Sequence, residues 1–224
     1  MPTRVDLHLH SRASTDTGSW FLSRAVLPES FVDPADAYRT CKRRGMDLVA
    51  MTDHNTISGA LEIAHHGDVI VGVEITTNFP GEAVQLHVLA WGVDEALWAD
   101  LDRARENVFD LLPILRAANV PHSLAHPLHR VGDDLTVDHL EKCLLMLPLW
   151  EGLNGARPEI SNVVGARIAR SAGPAILARL AEKHGIAPIG TGPRRSPAGA
   201  TTVFSRWKPP APGPRCRPRR RPRR

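Results

Sequence analysis

Histidine and carboxylate side chains recur at the ends of short apolar segments of this 224-residue chain. The first segment, VDLHLH, carries His8 and His10 two positions apart, and because side chains alternate across a strand, both imidazoles point to one face. Later segments contain or end in residues of the same chemistry: His54, which follows Asp53, then Glu74, His87 and His126. Asp16, in the loop after the first segment, can fold back toward this set. Imidazoles mixed with carboxylates and without thiolates are typical ligands of Zn, Mn or Fe, so the sequence predicts a metal centre.

The number of candidate ligands exceeds what one tetrahedral ion needs. The sequence therefore predicts two or three divalent metal ions, held by His8, His10, Asp16, His54, Glu74, His87 and His126. Such centres clamp a phosphoryl or carbonyl group and lower the pKa of a bound water, which generates hydroxide. Asp53, Arg12 and Asn154 are candidates for supporting roles. Taken alone, His87 is more simply a core histidine and Glu74 a structural ion pair; their recurrence on successive strands favours a shared site.

The elements that must position these residues alternate between apolar runs and amphipathic stretches. Strands are predicted at residues 4–10, 47–52, 69–76, 84–91, 120–126, 149–153 and 186–190. Helical signals lie between most of them, including one long helix over residues 95–118 with a kink or break at Pro113. Units of this kind predict parallel strands covered by helices, in a barrel or a doubly wound sheet, and the pattern leaves both open. In a barrel, ligands at the carboxyl ends of strands meet at one mouth.

Composition is that of one globular domain, with 42% hydrophobic and 23% charged residues. The net charge of +4 misleads, because the segment from Arg206 onward is rich in Lys and Arg and has no Asp or Glu. The body before it is acidic, so its composition gives no argument for nucleic-acid binding. The three cysteines are far apart, and the sequence lacks an apolar run of membrane-spanning length and a signal-peptide pattern. We therefore expect a cytoplasmic protein.

Five short motifs, DLHLHSRAST, MTDHNT, GVEITT, LHVLAWG and AHP, resemble in this order those of the PHP (polymerase and histidinol phosphatase) superfamily. The resemblance covers about residues 4–192. It implies a distorted (β/α)7 barrel, a site with two or three metal ions, and phosphoester hydrolysis by a metal-bound hydroxide at the C-terminal mouth. It matches His8 and His10 to the opening pair and His54, Glu74, His87 and His126 to later ligands, while Asp16 falls at a position that varies between branches. The implied substrate is a phosphorylated small molecule, a nucleotide or an oligonucleotide, without a membrane or a specific protein partner.

The last family motif is missing. After PIGTG the family continues with a Gly-Ser-Asp-Ala-His type of sequence, whereas this chain continues with Pro193, Arg194, Arg195 and Ser196, and no Asp, Glu or His follows His184. We predict a barrel domain at residues 1–192, incomplete at its C-terminal end, and a Pro/Arg-rich disordered tail at residues 193–224. Arg and Ser codons exist that encode Asp-Ala-His when shifted by one base, so we interpret the tail as the product of a shifted reading frame. Loss of the last ligands would make turnover poor or absent.

Two other functions remain open from the sequence. Amidohydrolase-like C–N hydrolases also begin with an HxH pair, but they usually recruit a metal-bridging lysine, and Lys142 and Lys183 lie in helical segments. Alternatively, the chain is a catalytically inactive barrel remnant whose basic tail binds nucleic acid non-specifically.

Overall fold

A computed structural model describes residues 3–14, 30–129, 134–147 and 149–189, together with the backbone of 201–204. The strands in these ranges are β1 Val5–Asp6, β2 Leu48–Met51, β3 Val69–Asn78, β4 Gln85–Trp91, β5 His122–Leu124, β6 Leu149–Leu153 and β7 Thr201–Phe204. The helices are α1 Pro34–Arg43, α2 Ser58–Ile63, α3 Glu95–Ala104, α4 Val108–Ala117, α5 Val137–Met146, α6 Glu159–Ser171 and α7 Pro174–His184. None of these helices combines the length and the apolar character that a membrane crossing requires.

The described strands form one mixed sheet in the order β1 to β7. β1, β2 and β3 are parallel, and so are β5, β6 and β7, but β4 runs antiparallel to both of its neighbours. The prediction of parallel strands throughout is therefore wrong at β4. Asn78 pairs with Gln85 across a short turn that includes Gly81 at φ 74°, and so short a connection can only reverse the chain. The result is a curled sheet with helices, an α/β barrel-like fold without a helix between β3 and β4.

The main core lies between the sheet and the helices that cover it. Leu111, Leu112 and Leu115 on one face of α4 are fully buried in one cluster with Val88 of β4 and Trp150 of β6. This spacing is the apolar stripe that an amphipathic helix presents to a sheet. Burial of each such side chain stabilises the fold by roughly 1.5–3 kcal/mol. The packing of the helices against the sheet therefore supports strands that also carry polar residues.

The helix over residues 95–118 proves to be two helices, and the break is not at Pro113. The first helix ends at Ala104, and Asn107 starts the second, because its side-chain oxygen accepts a hydrogen bond from Phe109 N at 3.0 Å. Such an Asn cap is a strong helix start. Pro113 lies inside α4.

The last strand is also placed differently from the prediction. Residues 186–189 form no strand, and Ile189 N instead donates to Leu145 O at 2.8 Å. β7 pairs with β6 in parallel and falls within the segment assigned to the tail. The remainder of residues 190–224 lies outside the described part of the chain, so the disordered tail stays a prediction.

Gly59 allows α2 to approach the end of β2 closely. A Cβ atom at this position would lie 2.1 Å from Asp53 Oδ2 and 2.5 Å from Ser11 Oγ. We expect Gly59→Ala to lower the free energy of unfolding by about 1–3 kcal/mol, because overpacking forces these neighbours apart. Urea unfolding measures this. Gly67→Ala is the matched control, since a Cβ there meets nothing within 4 Å; equal effects of the two substitutions would contradict the packing.

Candidate metal centre

Glu74 is the centre of the candidate site. It is fully buried in β3, and its two carboxylate oxygens face the imidazoles of five histidines. Oε2 lies 2.7 Å from His8 Nε2, 2.9 Å from His10 Nε2 and 3.4 Å from His54 Nε2. Oε1 lies 2.9 Å from His87 Nδ1 and 2.9 Å from His126 Nε2. Six of the seven residues predicted as ligands thus meet at one point.

Each histidine reaches this point from a different position on its element. His8 and His10 extend beyond β1, His54 follows β2 and forms a parallel bridge with Glu74, and His126 follows β5. His87 instead lies near the beginning of β4, opposite Thr76. Because β4 is antiparallel, its beginning lies at the same edge of the sheet as the carboxyl ends of the other strands. The reversed strand therefore explains how His87 joins the cluster.

The other sequence-predicted site residues have separate places. Asp16 lies outside the described residues. Asp53 accepts hydrogen bonds from Ser11 N and, at 2.8 Å, from Ser11 Oγ, which ties the loop after His10 to the end of β2. Arg12 is about half exposed and pairs with Asp33 at 3.2 Å and with Glu62 at 2.8 Å, so it does not face the histidines.

Glu151 in β6 is a site residue that the sequence analysis missed. Its Oε1 accepts from His8 Nδ1 at 2.9 Å, and its Oε2 accepts from His126 N at 2.8 Å and from Asn154 Nδ2 at 3.1 Å. The bond from Nδ1–H fixes the ring so that Nε2 of His8 is directed at the cluster. His126 has φ 25°, an unfavourable value for a bulky residue, and the bond to Glu151 holds it there. A carboxylate in the apolar segment LWEGL was the available signal, the same one that identified Glu74.

The carboxylates and imidazoles of the centre shift one another's pKa. Burial opposes ionisation of Glu74, but His54, His8 and His87 outweigh it and hold the pKa of this carboxyl well below its usual value. Burial also opposes protonation of His8, yet Glu74 and Glu151 raise the pKa of its imidazole well above the usual value. Burial lowers the pKa of His54 and of His126. A lowered pKa favours the neutral form that binds a metal, and metal binding at His8 would release a proton.

The donor atoms form two groups that could each hold a metal ion and that share one carboxylate. His8, Glu74 and His126 form one group of potential ligands, and His10, His54 and Glu74 form another, with the ligand atoms of each group within 4.8 Å of one another. His8 Nε2 and His10 Nε2 face each other at 3.1 Å, which requires a proton or a cation between their lone pairs. Nitrogen and oxygen donors without sulfur suit Zn, Mn or Fe.

A third group of potential ligands is less suited to a metal ion. Asp138, Glu141 and His184 lie on the surface of α5 and α7. Lys183 Nζ already contacts Asp138 at 2.7 Å and Glu141 at 2.6 Å, so an ammonium group supplies the positive charge.

Comparison with known proteins bears on the fold. No established family profile matches the chain. An uncharacterized protein of Methanocaldococcus jannaschii is 35% identical over 88 residues, which cover 37% of this chain and 49% of that protein, so the match spans about half of the relative's length.

An amidohydrolase from Chromobacterium violaceum, solved with bound sulfate and no metal, is similar with a TM-score of 0.52 and 16% identity over 82% of this chain and 84% of that chain. A proposed metal-dependent phosphoesterase from Bifidobacterium adolescentis has a TM-score of 0.49 and 12% identity over 89% of this chain and 93% of that chain, which is too weak to carry an argument. The similarity to the amidohydrolase shows the barrel-like fold alone.

The centre forms the floor of an open cavity of about 340 Å³. Leu9, Val32 and Ala37 provide an apolar wall, whereas Asn154 and Arg157 provide polar groups. A ligand of modest size can therefore reach the buried carboxylate and imidazoles from solvent.

We expect Glu151→Gln to weaken metal binding by about 10–100-fold, because an amide cannot accept from both His8 Nδ1 and His126 N while also presenting its own NH2 group. Metal titration of the chelator-treated protein, followed by calorimetry, measures this. Glu182→Gln, which removes an exposed carboxylate on α7, is the control. Equal affinities of the Glu151 variant and the unaltered protein would show that the hydrogen bonds of Glu151 do not organise the centre.

Proposed function

We propose that this chain is a metal-dependent phosphoesterase with two divalent ions bridged by Glu74. The arrangement of two ligand groups around one shared, fully buried carboxylate carries the proposal. His8 and His126 would hold one ion, and His10 and His54 would hold the other. The Nδ1 atom of His87 contacts the same carboxylate, 2.9 Å from Oε1 of Glu74. Zn, Mn or Fe in this position acts as a Lewis acid toward a phosphoryl oxygen and lowers the pKa of a water molecule.

The protein side chains have defined tasks in this proposal. Glu151 keeps the proton of His8 on Nδ1 and fixes the backbone of His126, so both imidazoles are oriented before a substrate arrives. Asn154 donates to Glu151 from the cavity wall. Arg157 lines the same cavity. Burial of the Glu74 carboxylate strengthens its electrostatic interactions with the imidazoles.

Phosphoester cleavage is favoured over the two alternatives. The residues that line the cavity include an arginine and, within the described part of the chain, no lysine that could bridge metals as in amidohydrolase-like enzymes. The nucleic-acid-binding alternative rests on the basic tail and gives no role to the buried carboxylate and its five imidazoles. We propose a phosphorylated small molecule or nucleotide as the substrate and the cytoplasm as the location.

Hydrolysis of p-nitrophenyl phosphate with Mn²⁺ or Zn²⁺ tests this function. We expect p-nitrophenol release above the rate with metal ions alone, although slow because the last family motif is missing, and no release after chelation. p-Nitroacetanilide, the corresponding amide, should remain intact. Cleavage of the amide in preference to the phosphate would favour a C–N hydrolase, and cleavage of neither by the metal-loaded protein would contradict the proposed activity.

A further inference from the structure

Arg157 lines two neighbouring cavities beside the candidate metal centre. It precedes α6 and lines both the main cavity and a side cavity of about 130 Å³. His126 is the other residue that lines both cavities. The side cavity therefore borders His126 of the centre as well as Arg157.

The guanidinium of Arg157 has no protein anion to bind in the described part of the chain. Its Nε is buried and lacks a hydrogen-bond partner there. Arg12 and Arg105 differ in this respect, since Arg12 pairs with Asp33 and Arg105 pairs with Asp102 at 2.8 Å. Arg157 is only partly buried, but a buried N–H without a partner is costly, and a ligand anion in the side cavity would accept from it.

The remaining walls of the side cavity also suit an anion. Among the described residues that line it there is no Asp or Glu, and Ser161 and Asn162 contribute polar side chains. The cavity lies at the beginning of α6, a helix of 13 residues whose first turn has no side-chain cap. The positive end of the helix dipole adds to the charge of Arg157.

We propose that Arg157 binds a second anionic group of the substrate, a carboxylate or a phosphate, in the side cavity. This inference rests on the proposed function, in which the phosphoryl group to be cleaved lies against the metal centre. The preferred substrates are then small phosphomonoesters that carry another negative charge a few bonds from the phosphorus. Arg157 contributes specificity for that charge, and the metal centre contributes the chemistry.

Binding of non-hydrolysable phosphonates to the Mn²⁺-loaded protein tests the proposal. Propylphosphonate has one anionic group, 3-phosphonopropionate adds a carboxylate at the same chain length, and propane-1,3-diphosphonate adds a second phosphonate. By calorimetry we expect at least one of the doubly charged compounds to bind about tenfold tighter than propylphosphonate, the effect of one charge-assisted contact. Comparison of the two identifies the preferred second group.

Arg157→Gln should remove this preference and change propylphosphonate affinity less than about twofold. Arg170→Gln, at an exposed position on α6, is the matched control and should keep the preference. Equal affinities of the unaltered protein for all three compounds, or equal weakening of all three by Arg157→Gln, would overturn the second-anion site while leaving the phosphoesterase intact. Failure of every phosphonate to bind, together with no hydrolysis of p-nitrophenyl phosphate, would contradict the proposed function and this inference with it.

Discussion

Replacing Glu74 by glutamine should abolish metal binding and phosphoesterase activity together. Both ligand groups depend on this one carboxylate, and an amide offers a single neutral oxygen in place of two charged ones. We expect metal affinity and kcat/KM to fall at least ~100-fold. Loss of a residue that only orients a metal ligand already costs about 10–100-fold, and Glu74 would bind the ions directly. Elemental analysis after dialysis and the p-nitrophenyl phosphate assay measure the two effects.

The Glu74 variant needs a control for folding and one for charge. Breaking a buried charge pair costs about 3–5 kcal/mol, so circular dichroism and urea unfolding must establish that Glu74→Gln still folds. Glu141→Gln removes a carboxylate from the group that Lys183 already occupies, and its metal content and activity should be unchanged. A folded Glu74→Gln protein that retains both ions would rule out the bridging role.

The double substitution His8→Ala with His10→Ala should remove most of the bound metal and its contribution to stability. Each histidine belongs to a different ligand group, so both ions lose a ligand. A metal that binds only the native state stabilises it, by about 2.7 kcal/mol at a concentration 100 times Kd. We therefore expect chelation to lower the Tm of the unaltered protein and to leave that of the double variant unchanged.

His129→Ala is the matched control for the double substitution. His129 is exposed and its ring lies 5.3 Å from that of His126, but it belongs to neither ligand group. Its replacement should leave metal content and the response to chelation as they were. Loss of metal in this variant, or a double variant that still responds to the chelator, would mean that the ligands are assigned wrongly.

Much of the site could be predicted because its signals are local. A polar side chain in an apolar strand is costly to bury without a partner, and this argument identified Glu74 and His87 before their surroundings were known. It failed for Glu151, although the same signal is present in β6. The contacts of Glu151 to His8 and His126 join residues distant in sequence, and such contacts depend on how the strands pack.

The fold could be predicted only as far as its class. Alternating apolar and amphipathic segments indicate strands and helices, but strand direction depends on the connection, and the hairpin from Asn78 to Gln85 reverses β4. The break at Asn107 was missed because proline is the more conspicuous breaker, whereas the Asn cap determines where α4 begins. β7 lies in the segment assigned to the tail, and its pairing with β6 joins residues that are distant in the sequence.

Electron paramagnetic resonance of the Mn²⁺-loaded protein tests the shared carboxylate most directly. Two ions bridged by Glu74 would lie a few ångströms apart, roughly 3.5–4 Å in two-metal sites of this kind, and would couple magnetically. We expect a spin-coupled spectrum at two ions per chain, and we expect this coupling to be lost in Glu74→Gln. A spectrum of isolated Mn²⁺ at one ion per chain, unaffected by that substitution, would contradict it.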